Sequence, residues 1–78
     1  MTTNELREKA LELLICKPEK LEEKQLLYGK AIYYRNTDRG GAALIMADDG
    51  TSLMVNPFFT EFEEHLNRFL SGERSRYE

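Results

Sequence analysis

The chain has one cysteine, one histidine, two prolines and no tryptophan, and most of these scarcities remove a class of protein. A lone Cys16 cannot close an internal disulfide, whereas a secreted domain of this size normally carries two to four bridges, so a cytoplasmic location is expected. With His65 the only histidine, neither a His-rich metal site nor a Cys-x-x-Cys zinc arrangement can be built, and no cofactor or metal is expected. No apolar run approaches the ~18 residues of a membrane span, and Met1-Thr2-Thr3-Asn4-Glu5 lacks the basic and apolar regions of a signal peptide. Basic residues are also in the minority. Eleven Lys and Arg against fourteen Asp and Glu give a net charge of −3, and no segment concentrates the cations that a phosphate backbone requires. Membrane and nucleic acid are therefore excluded as expected partners.

What remains is one small domain. Seventy-eight residues leave no room for a second core, and a chain of this length buries only about 60–65% of its unfolded surface. Hydrophobic residues at 41% and charged residues at 32% place it among globular chains and apart from disordered acidic tails. Residues 1–25 hold five basic and six acidic side chains, 26–55 three of each, and 56–78 three basic and five acidic. A sparsely charged centre between charge-rich ends is the pattern of a sheet flanked by solvated helices.

Thr2 and Glu5 form a capping-box pair, with Thr3 and Asn4 as alternative caps. Leu6, Ala10, Leu13, Leu14 and Lys17 recur at helical spacing, with Leu11 and Ile15 widening the stripe. Pro18 ends this helix, because it lacks a backbone N–H, and residues 18–25 read as a separate short helical turn anchored by Leu21. Ile32, Tyr33 and Tyr34 mark a strand over about 27–35, and Asn36 to Gly41 is dense in turn formers. Residues 42–47 form a second strand and 53–55 a third, joined by Asp48-Asp49-Gly50-Thr51. A two-residue turn would pair Met46 with Leu53; a three-residue turn with Gly50 in a left-handed bulge, slightly favoured, pairs Ile45 with Leu53. Asn56 and Pro57, or else Thr60 with Glu63, open a last helix whose stripe is Phe58, Phe59, Phe62, Leu66, Phe69 and Leu70. Gly72 stops it, and the remainder of 72–78 reads as a frayed tail.

The expected fold is thus a single α+β domain over 1–78. It has two layers, a three-stranded antiparallel meander with both terminal helices on one face.

Chemistry is thinly represented. Asp48 and Asp49 are turn formers before they are paired carboxylates, Glu61 and His65 read as a solvated helix face, and Cys16 as a small, partly buried side chain with no base beside it. Arg39-Gly40-Gly41 has the form of a backbone anion nest but reads better as a hairpin loop. Asn56-Pro57-Phe58 matches a peptide motif recognised by certain trafficking domains, although helix capping accounts for it. A meander with helices on one face leaves the other bare, so Tyr28, Tyr33, Tyr34, Leu44, Met46 and Met54 are the candidate interaction surface. A homodimer or a protein partner is expected on it. The layout of 42–70, with its Ala-Asp-Asp-Gly turn and Pro-x-x-x-x-Phe-Glu-Glu-His-Leu helix, resembles small bacterial immunity proteins. That resemblance implies toxin neutralisation by binding and transfers no residue role. The function expected from the residues is a non-enzymatic interaction or regulatory module. The enzyme alternative is a subunit whose site forms between protomers from Asp48, Asp49, a tyrosine or His65.

Overall fold

A computed structural model of the chain describes residues 2–38 and 41–76. Its order is helix α1 (Thr3–Leu14), strands β1 (Leu21–Leu26), β2 (Ala31–Asn36), β3 (Ala43–Ala47) and β4 (Ser52–Val55), then helix α2 (Phe62–Leu70). The sheet is an antiparallel meander in the order β1-β2-β3-β4. The α+β class and the meander between terminal helices are as the sequence implies, with four strands in place of three.

Local chemistry sets both ends of α1. The Thr2 hydroxyl accepts from the Glu5 N–H at 3.2 Å, and the Glu5 carboxylate accepts from the Thr2 N–H at 3.1 Å, the reciprocal capping box. These bonds hold the Glu5 carboxyl below its usual range. Ile15 closes the helix in the left-handed conformation (φ 51°). Pro18 then opens a 3₁₀ turn over Pro18–Lys20, shorter than the helical turn expected through residue 25.

The added strand is β1, Leu-Glu-Glu-Lys-Gln-Leu. It lacks β-branched residues and is held by its neighbours. Glu22 faces Arg35 across the β1–β2 ladder and pairs with it at 3.3 Å, and Glu23 pairs with Arg7 of α1 at 2.7 Å. Such charges also suit an edge strand, because they discourage further strands from pairing with it. Between β1 and β2 the chain turns through Leu27, Tyr28 and Gly29, all with positive φ. The strand expected from residue 27 therefore begins at Ala31.

The β3–β4 hairpin adopts the bulged register, with Ile45 opposite Leu53 and Gly50 at φ 88°. Asp49 braces the turn, its carboxylate accepting from the Thr51 N–H at 2.9 Å and the Thr51 hydroxyl at 2.6 Å. Those bonds keep its carboxyl below the ordinary value. Arg39 and Gly40 of the suggested anion nest lie outside the described residues.

The helices occupy opposite faces of the sheet, which corrects the two-layer expectation. Alternation along the strands and the ladder register put Ile32, Tyr34, Leu44 and Met46 on one face, where they pack against Leu6, Ala10 and Leu14 of α1. Ala31, Ile45, Leu53 and Val55 point the other way and pack with Phe69 and Leu66 of α2. The four buried residues Ala43–Met46 of β3 are the physical reason, since a strand apolar on both sides needs cover on both sides. Each terminal helix supplies one cover.

The segment after α2 is also ordered where described. The Ser75 N–H donates to the Ser52 carbonyl at 2.9 Å, and the Ser75 hydroxyl accepts from the Met54 N–H at 2.8 Å. The Arg74 guanidinium stacks 3.9 Å from the centre of the Phe69 ring. Residues 73–76, expected to fray, instead cover the open edge of β4.

Candidate protein-binding surface

Of the residues expected to form an interaction face, Tyr34, Leu44 and Met46 are completely buried beneath α1. Met54 is half-buried at the margin of the same cluster. Tyr33 points to the opposite face, half-buried between Phe62 and His65 with ring centres 5.2 and 6.1 Å away. Tyr28 stands fully exposed on the β1–β2 turn. The six residues do not form one surface, and the bare sheet face that grouped them does not exist.

The exposed apolar side chains lie elsewhere. Asn56 builds a tight turn directly after β4. Its side-chain oxygen accepts from the Phe58 N–H at 2.9 Å, and its carbonyl accepts from the N–H groups of Phe59 and Thr60, each at 3.1 Å. This turn delays α2 to Phe62, with Glu61 as a cap that makes no side-chain bond. Phe58 and Phe59 consequently leave the expected helical stripe. They are 86% and 79% exposed, and their rings meet edge to face at 5.1 Å. Phe62 is the transition residue, 39% exposed, with its ring against Tyr33 and the Lys24 ammonium 5.6 Å from its centre. Phe58 also borders an open cleft of about 470 Å³ between residues 35–38 and the 56–58 turn.

The buried side of α2 is His65 and Phe69. His65, read from sequence as solvated, is buried and donates from Nε2 to the Leu53 carbonyl at 2.7 Å in the tautomer that carries hydrogen there. Burial lowers its pKa, against the opposing pull of that hydrogen bond. On the other face, burial and the nearby Glu23 charge push the Tyr34 phenol up to about 12, and its hydroxyl has no partner among the described residues. Cys16 is partly buried, its thiol 3.2 Å from the Lys17 carbonyl and raised in pKa first by burial.

These groups are committed to structure. Among the described residues no three His, Cys, Asp or Glu side chains are grouped to hold a metal ion. The Asp49 carboxylate is occupied by Thr51 and the His65 ring by Leu53, so these two of the residues named for an inter-protomer enzyme are engaged separately. No helix is long and apolar enough to cross a membrane among the described residues.

Phe58 and Phe59 were legible as aromatics but misplaced. Adjacent residues on a helix point about 100° apart, so two neighbouring phenylalanines strain a single stripe, and Asn-Pro before them favours a turn. Compared with known proteins, the chain matches no family model, no curated protein and no solved structure.

Proposed function

We propose that this chain is a non-enzymatic protein-interaction module that engages its partner through the Phe58–Phe59 turn. The observation that carries the reading is the pair of phenylalanine rings held outward on a hydrogen-bonded turn, with only each other for ring contact among the described residues. Covering a phenylalanine side chain is worth roughly 1.5–3 kcal/mol, and aromatic residues presented on a fixed backbone are typical anchors of protein interfaces. The homodimer expected through an open sheet face loses its basis, because α1 and α2 occupy the two faces. A cytoplasmic setting suits the single cysteine, and the acidic balance opposes nucleic-acid binding.

The test is affinity capture from the native cell extract with wild-type protein and a Phe58→Ser/Phe59→Ser variant, followed by titration of the purified captured partner. A partner that binds the wild type saturably and loses affinity at least about tenfold for the variant, equivalent to about 1.4 kcal/mol, supports the reading. Equal affinity for the two proteins refutes it.

A further inference from the structure

We infer that the partner seated on the Phe58–Phe59 turn is a cationic protein surface, one that presents Lys or Arg side chains among apolar ones. The inference rests on the interaction reading above and adds the chemistry of the occupant.

Charge is the first support. Residues 41–67 contain no Lys or Arg and five Asp or Glu. Glu61, Glu63 and Glu64 follow the aromatic turn directly and are exposed. The four ion pairs among the described residues use Glu22, Glu23, Asp38 and Glu73, so these three glutamates have no cationic partner there. The turn is an apolar knob beside three carboxylates with no ion pair among the described residues, with Lys24 against Phe62 and Arg35 lining the Phe58 cleft close by.

The aromatic rings give a second, independent support. A phenyl face is electron-rich and attracts a cation within about 6 Å of its centre. Two of the four phenylalanines already hold one: Phe62 has the Lys24 ammonium and Phe69 the Arg74 guanidinium. Among the described residues Phe58 and Phe59 hold none, and their edge-to-face pairing leaves ring faces open. A partner bringing Lys or Arg would meet both the rings and the glutamates. A second copy would set Glu61, Glu63 and Glu64 against their own equivalents, and an anionic lipid surface would meet the same repulsion.

The probe is a synthetic amphipathic helix of Leu and Lys, with a Leu/Glu helix of equal length as control, each titrated against the intact protein by fluorescence anisotropy. The expected result has three parts. The Leu/Lys peptide binds at least about tenfold more tightly than the Leu/Glu peptide, and raising the salt weakens it. Phe58→Ser/Phe59→Ser lowers its affinity about tenfold or more, and Glu61→Gln/Glu63→Gln/Glu64→Gln lowers it about three- to tenfold. Both variants change exposed side chains, and unaltered circular dichroism spectra confirm their fold. Should the serine variant not fold, the glutamine variant alone decides. Equal binding of the two peptides, or no loss in the glutamine variant, overturns the inference. So does self-association by sedimentation that depends on Phe58 and Phe59, or stronger binding to phosphatidylcholine vesicles than to the Leu/Lys peptide. A natural partner lost by the serine variant but indifferent to the glutamine variant removes the cationic assignment and leaves the interaction reading standing.

Discussion

Truncating Phe69 to alanine should cost far more than truncating Phe62, although both sit on α2 seven residues apart. Phe69 is 5% exposed and packs among Ala31, Ile45, Leu53 and Val55, with Arg74 over its ring. Phe62 is 39% exposed at the helix start. Deleting a buried phenyl ring costs about 3–5 kcal/mol through lost transfer energy and the cavity left behind. Phe62 forfeits about three-fifths of a burial worth roughly 1.5–3 kcal/mol, or about 1–2 kcal/mol, and leaves a surface dent in place of a closed cavity. A domain of this length has a total stability of about 4–12 kcal/mol at 0.05–0.15 kcal/mol per residue, so Phe69→Ala removes a large share of it. Urea unfolding followed by circular dichroism measures the difference. With a slope near 1 kcal/mol/M, the midpoint should fall by about 3–5 M for Phe69→Ala and about 1–2 M for Phe62→Ala. Phe69→Leu keeps most of the volume and supplies a folded intermediate point. Equal losses at the two positions, or a larger loss at Phe62, would refute the packing of α2 described above.

His65 makes stability pH-dependent in a defined direction. Its pKa is lowered in the folded protein from an ordinary value of 6.5, so the unfolded chain takes up a proton first as the pH drops. Its contribution is complete above pH 6.5 and is lost as pH falls through the folded value, and urea midpoints should decline as the pH falls below the ordinary value of 6.5. His65→Gln should flatten that decline, and an unchanged slope would contradict the buried placement. Gly50→Val should lower the thermal midpoint, because a branched side chain at φ 88° costs about 1–2 kcal/mol, or roughly 4–16 °C for a domain of this size. Asp49→Asn keeps an acceptor for Thr51 and should melt within a few degrees of wild type.

The features legible in the sequence are those decided by neighbouring residues. Thr2 and Glu5 cap a helix because their side chains reach backbone groups three positions away. Asp48-Asp49-Gly50-Thr51 determines the hairpin register because one residue must tolerate a positive φ. What escaped depends on partners distant in sequence. Nothing in Leu-Glu-Glu-Lys-Gln-Leu marks a strand until Arg7 and Arg35 are placed beside it. The apolar residues on both sides of β3 were legible, but not that each side would receive its own helix. Alternation alone therefore leaves Tyr34, Leu44 and Met46 free to lie on a surface, whereas they belong beneath α1. Helical spacing places Phe58 and Phe59 on the α2 stripe. The hydrogen bonds of Asn56, local but not read as a turn, set them outward.

The central claim is that the sheet is closed on both faces and that the aromatic turn is left open. Solvent paramagnetic relaxation, measured by NMR with a soluble gadolinium chelate, tests this most directly because it reads the exposure of each side chain in one sample. The account predicts strong relaxation of the Phe58, Phe59 and Tyr28 ring protons and little at Tyr34, Leu44, Met46 and Ile45. Strong relaxation at either Tyr34 and Leu44 or at Ile45, with Phe58 and Phe59 protected, would contradict it by showing an open sheet face and a covered turn.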